Sequence, residues 1–300
     1  MQYNFFVANR MEPSSIARAL GECLCVPSHE VDVADAFLEQ DNRNWDAKVL
    51  CDYAHASGDV SLSLDIYVQD SVAVRPSEAE LARTFARTAR SVVLYPAEEG
   101  IPSAYWLASP SNVVTRARLL ASDDDNPAHT IDAVETAVPE LPQGRVIVLP
   151  EIIREHPVPT PTTAAFTRSL DNLAAARPEL FSTCPVDEPG SLHDDARAYL
   201  GEWERMVRRM VADWPPAGRY PVEMYRDAIE ARDRLSDIED RLITPSATLL
   251  TDALEEVDGQ FLNSSAEDTK HILAKAVGMS AFDLPPGAWW WHRLPLSVPW

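Results

Sequence analysis

Residues 156–163 (HPVPTPTT) hold three prolines in eight positions, and the spacing of apolar residues changes from one side of this segment to the other. Proline donates no backbone hydrogen bond and pushes the residue before it into extended conformations, so neither a helix nor a central strand runs through such a stretch. Before it, strand and helix signals alternate; after it, the code is helical almost throughout. The expected fold class is therefore α+β. An N-terminal, mostly antiparallel sheet with helices on one face should occupy residues 1–155, followed by a linker at 156–162, an antiparallel helical bundle over 163–282 and a docked Trp/Pro-rich strap at 283–300.

The clearest strand is residues 60–69, where Val60, Leu62, Leu64, Ile66 and Val68 alternate with polar neighbours. From Trp45 to Tyr53, Trp45, Ala47, Val49, Cys51 and Tyr53 fall on one side of a second strand, with Asp46, Lys48 and Asp52 on the other. Ser57, Gly58 and Asp59 between the two runs predict a hairpin turn. Ser77 three residues before Glu80 predicts a capping box opening a helix that ends near Arg90. A short helix is expected near Thr130–Val138.

Beyond the prolines, Leu192, Ala196, Leu200, Trp203, Val207, Met210 and Trp214 share one side of a helix over about 191–214. Glu202 and Glu204 flank Trp203 and are expected toward solvent. Residues 283–300 carry four of the eight tryptophans and four prolines. They are too broken for a regular helix and too apolar to stay unpacked, so they should dock.

Charge bounds function more than any motif does. The chain has 47 acidic and 26 basic side chains, a net charge of −21, spread evenly over both halves. Nucleic acid and anionic lipid are held by Lys and Arg, and a field of this sign repels both. A basic protein partner is favoured instead. No run of about 18 apolar residues is present to cross a membrane, and the start lacks a secretory pattern, so a cytoplasmic location is expected. Four cysteines are too few for a disulfide scaffold at this length and should be free thiols.

Residues of chemical interest are scattered. Cys23, Cys25 and His29, with Cys51 and His55, supply thiolate and imidazole, the ligand types that zinc prefers. The two-residue Cys23/Cys25 spacing at a helix end, however, points the side chains apart. Asp46 and Lys48, with Asp35 or Asp41, place a carboxylate and an ammonium on one strand face in the manner of a metal-dependent nuclease, but without a basic groove for the substrate. Arg83, Arg87 and Arg90 form a basic stripe on one helix, which Arg116 and Arg118 would extend as an anion contact. Trp289, Trp290, Trp291, Arg293 and Trp300 are the residue types that lead interface hot spots. No phosphate-binding glycine loop, nucleophile elbow or Glu-x-x-His pair occurs, and no cofactor is expected.

The leading expectation is a non-enzymatic, acidic intracellular binding protein of the immunity or antitoxin kind, neutralising a basic partner. The alternatives are an enzyme of unrecognised class with a site at the junction of sheet and bundle, and an assembly protein associating through its Trp-rich tail.

Overall fold

The first strand, β1 (Gln2–Val7), turns Tyr3, Phe5 and Val7 inward and Gln2 and Asn4 outward. It leads into α1 (Pro13–Leu24), where proline at the start supplies a preformed φ and Cys25 closes the helix in the left-handed region at φ 55°. The strands β2 (Val31–Asp35), β3 (Val49–His55), β4 (Ser57–Gly58) and β5 (Leu62–Val68) follow, then α2 (Glu78–Ala89). The strands β6 (Val93–Pro96), β7 (Ala104–Ala108), β8 (Val114–Ala121), β9 (Ala128–Val134) and β10 (Arg145–Val146) lead to α3 (Pro150–Glu155). This computed structural model describes every residue except 39–42, 98–99, 125–126, 183–185, 187, 281–283 and 285–286. It divides into two compact units, Met1–Ile152 and Ile153–Trp300, the division falling inside α3.

Among the described residues of the first unit, ten strands form one mixed sheet in the order β10-β9-β8-β7-β6-β1-β5-β3-β2, with β4 joined to β9. The centre is antiparallel, as expected, but β2 pairs parallel to β3, β10 parallel to β9, and β4 parallel to β9. Helices α1 and α2 cover one face, packing Ile16, Leu20, Leu81 and Phe85 onto Phe5, Cys51, Leu64 and Ile66. At roughly 1.5–3 kcal/mol for each large side chain removed from water, this layer is the main stabilising term of the unit. On the opposite face, Val60, Leu94, Leu107, Leu119 and Ile131 make a second cluster.

The hairpin expected at residues 57–59 is present, since β3 pairs antiparallel with β5. Its loop does more than turn: Gly58, at φ +95°, is drawn against β9, and a Cβ there would lie 2.2 Å from the carbonyl oxygen of His129. Only glycine permits that approach. Residues 130–134 are strand β9, not helix: although Ala133 and Glu135 favour helix, Ile131, Ala133 and Val134 are buried in the sheet, and pairing with β8 overrides propensity.

The capping box at α2 is present, with Ser77 Oγ accepting from the Glu80 amide and the Glu80 carboxylate accepting from the Ser77 amide. The bonds its carboxylate accepts from the Ser77 amide and the Ser77 hydroxyl hold the Glu80 carboxyl below the usual carboxylate range. Ser77→Ala is expected to cost about 1 kcal/mol, measured as a lower denaturant midpoint of the sheet unit.

The second unit contains α4 (Pro161–Ala176), α5 (Leu192–Val211), α6 (Val222–Glu239), α7 (Thr244–Asn263), β11 (Ser265–Glu267), α8 (Ile272–Ala276) and β12 (Arg293–Pro295). Helix α5 contacts α4, α6 and α7, and its apolar side buries Ala196, Leu200, Trp203, Met206, Val207 and Met210. The expectation for Glu204 is overturned: it is 1 % exposed, and its carboxylate accepts from the Thr162 amide at 3.0 Å and the Thr163 amide at 2.8 Å, the first turn of α4. It also accepts from Thr163 Oγ1 at 2.7 Å and Arg208 Nε at 2.9 Å. Buried carboxylates are stable only with such partners. Along the C-terminal segment, the Trp290 and Trp291 ring N–H groups donate to Asp233, and Trp214 Nε1 donates to the Ser297 carbonyl at 3.0 Å. Strand β12 pairs with β11.

Candidate functional site

Within the first unit, no helix of the described residues covers one face of β1, β5, β3 and β2, because α1 and α2 both pack on the other. Side-chain alternation fixes what this face presents. Register places Asp52 opposite Asp65, and Asn4 beside Asp65 on the next strand. One step along, Asp32, Leu50, Tyr67 and Gln2 form the neighbouring row. Like charges directly across an antiparallel pair repel, and each carboxylate here has its own compensation. Asp65 accepts from Gln2 Nε2 at 3.0 and 3.2 Å. Asp52 and Asp32 are both paired with Arg43, whose Nε lies 3.0 Å from Asp32 Oδ2.

Arg43 has a nearly buried side chain and lies 4.8 Å from the ring centroid of Trp45, so the guanidinium serves as a scaffold under the tryptophan. The outer side of that ring stays wet. Trp45 is 60 % exposed, Tyr67 48 %, and Phe37 and Leu38, which follow β2, 84 % and 68 %. Two exposed aromatic rings, Trp45 and Tyr67, grouped with carboxylates on one face are unusual for a surface with nothing to bind. Strand β2 ends the sheet on this side. The arrangement suits recognition of a segment carrying cations between apolar residues, with aromatic rings to hold the stems and Asp65, whose only described partner is the neutral Gln2 amide, to pair a head.

Sequence reasoning missed most of this face. Trp45 was expected on the core side of its strand, but β3 begins at Val49 and Trp45 precedes it, exposed. The strand β2 was not anticipated, although Val31 and Val33 alternate with Asp32. A signal did exist for Phe37 and Leu38, an apolar pair that immediately precedes the polar run from Glu39 to Asn44.

The other candidate residues do not converge. Cys51 is buried in the core, where desolvation pushes its thiol far up. Cys23 is half-buried with its thiol also raised by burial, and Cys25, His29 and His55 are exposed. Among the described residues no three His, Cys, Asp or Glu side chains gather as a metal site, so these five are not a zinc centre. All three described cysteines are free thiols. Lys48 is paired with Glu30 at 2.7 Å, Asp46 lies in the turn before β3, and Asp41 lies outside the described residues. The nuclease arrangement is not assembled. Arg83, Arg87 and Arg90 are exposed on α2 and at its C-cap. Arg116 lies 4.8 Å from the Trp106 ring centroid, and Arg118 is held by Glu151 through two bonds of 2.7 Å and by Asp132 at 2.8 Å. Arg118 therefore braces the sheet and does not extend the stripe.

In the second unit, Trp290 and Trp291 are buried and Trp289 and Trp300 half-buried. Arg293 donates to Ser265 Oγ and to the carbonyls of Ser265 and Leu262. No helix among the described residues is long and apolar enough to cross a membrane. No protein-family model matches the chain, and no curated protein and no solved structure matches it.

Proposed function

We propose that this chain is a non-enzymatic binding protein that engages a basic protein partner through the uncovered face of its sheet unit. The observation that carries the reading is the grouping of exposed Trp45 and Tyr67 with Asp32, Asp52 and Asp65, in a chain of net charge −21. The long-range field accelerates encounter with a cation-rich surface, and the aromatic groups supply the short-range contact energy. A cytoplasmic protein of the immunity or antitoxin kind, neutralising a cationic toxin, is the use these properties fit. In this reading the second unit is an antiparallel bundle closed by its own tail, a support rather than a second docking surface.

The test is a calorimetric titration of the full chain with a synthetic peptide that alternates arginine with leucine, and with its glutamate-for-arginine counterpart. The basic peptide should bind, more weakly as salt is raised, and the acidic one should not. Trp45→Ala should lose about tenfold in affinity, the scale of a moderate hot spot. The double variant Asp52→Asn with Asp65→Asn should weaken binding more than the charge-matched control Asp237→Asn with Asp240→Asn. Equal effects of the two charge pairs, with no effect of Trp45→Ala, would mean that only diffuse charge is sensed and that the face is not a site.

A further inference from the structure

A cleft of about 420 Å³ in the helical unit is built from charged groups that do not satisfy one another. At its base is Arg209 of α5, 4 % exposed. Its Nη2 donates to the carbonyl oxygens of Ile153 and His156, which fixes the guanidinium plane, while its Nε is buried without a partner. No carboxylate of the described residues lies within ion-pair distance of it. A buried guanidinium held only by neutral carbonyls is an incompletely compensated cation. Burial and the nearby Arg205 both press on it, as the lowering of its pKa reflects.

One turn earlier on α5, Arg205 reaches the same cleft and is exposed, with no hydrogen bond or ion pair among the described residues. Tyr220 lines the wall, and burial pushes its phenol up to about 12. It therefore remains a protonated donor at neutral pH, and its hydroxyl makes no hydrogen bond within the described residues. Three donor groups thus converge where a single anionic group would satisfy them.

The opposite chemistry lines the same cleft. Glu202 is half-buried and has no hydrogen bond among the described residues; desolvation raises its pKa, and the charge of Asp227 adds to that. Arg205 and Arg154 lie near enough to oppose the rise, yet neither closes an ion pair with it. Cations and carboxylates that face one cleft without collapsing onto each other are complementary to a ligand carrying both signs. Met224 supplies an apolar wall between them.

We propose that this cleft binds a small zwitterion of the amino-acid class, its carboxylate on Arg205, Arg209 and the Tyr220 hydroxyl, and its ammonium on Glu202 and Asp227. The site is independent of the protein-binding face, since it is built wholly from the second unit. A metabolite held here would stabilise the helical unit by mass action.

The test is calorimetry on the full chain with the common amino acids, with inorganic phosphate, and with the des-amino and decarboxylated analogues of the best binder. One or more amino acids should bind in the millimolar range or better, and removal of either charged end should cost about tenfold. Arg205→Gln should cost a similar factor in affinity without changing the melting temperature of the free protein, because Arg205 makes no structural bond. Glu202→Gln should weaken the amino acid but leave its des-amino analogue unchanged. The proposal is overturned if no amino acid binds at tens of millimolar, if phosphate binds as well as the best of them, or if both variants keep the parental affinity.

Discussion

Asp258→Ala is expected to destabilise the helical unit by about 3–5 kcal/mol, the cost of stripping one partner from a buried charge pair. Asp258 sits on α7 and accepts from three directions. Arg232 of α6 donates through Nη2 at 2.8 Å and through Nε at 3.1 and 3.2 Å, and Trp203 of α5 donates through Nε1 at 2.9 Å. The arginine in turn lies 4.2 Å from the ring centroid of Trp290, so one carboxylate ties three helices and the C-terminal segment together. Truncation leaves the Arg232 charge and the Trp203 indole N–H stranded in surroundings that exclude water. Six of the eight tryptophans belong to this unit, so tryptophan fluorescence during urea unfolding follows it directly. Asp258→Asn, which keeps one acceptor, should lose less. A double replacement, Arg232→Met with Asp258→Leu, should recover much of the loss, since paired removal of buried charges is often neutral. A loss below about 1 kcal/mol for Asp258→Ala would show that water already reaches the pair.

Glu204→Ala should cost about 3 kcal/mol by the same logic applied to a helix start. The first amides of α4 have no partner within their own helix, and Thr160, the residue at its cap position, makes no side-chain bond to them. Glu204 of α5 serves instead. Burial pushes its carboxyl up, but the bonds from Thr163 and Thr162 and the Arg208 contact outweigh burial, and the pKa ends below the usual carboxylate range. A folded-state pKa below the unfolded one means that the unfolded chain takes up its proton first as pH falls. The contribution of Glu204 is therefore complete at neutral pH and is lost as pH drops through and below the ordinary glutamate range. Glu204→Gln should be less stable than the parent at pH 7 and should show a shallower loss between about pH 5 and pH 2. Parallel stability–pH profiles for parent and Gln variant would refute the assignment.

Where local pattern and burial agree, the sequence was a sufficient guide. The alternation at 62–68 is strand β5, and the Ser77/Glu80 spacing is a capping box. The period of 3.6 along residues 192–211 buries the residues it picks out. It misled where a distant partner decides the outcome. Glu204 looks like a solvent-facing residue next to Trp203, because the amides that require it are some forty residues away on α4. Residues 128–134 carry helix formers but complete a sheet. Gly58 reads as a turn residue until His129 is seen against it. The uncovered face was half visible, since the carboxylates of β3 and β5 follow from alternation. Trp45, Phe37 and Leu38 did not, because their exposure depends on where β2 and β3 begin and end.

Amide hydrogen exchange of the full chain, with and without a saturating basic peptide, tests the central claim most directly. The account predicts slowed exchange confined to residues 31–38, 45–55 and 62–68, with the helical unit unchanged. Slowing that is absent from those segments, or that appears only in the helices of the second unit, would contradict it.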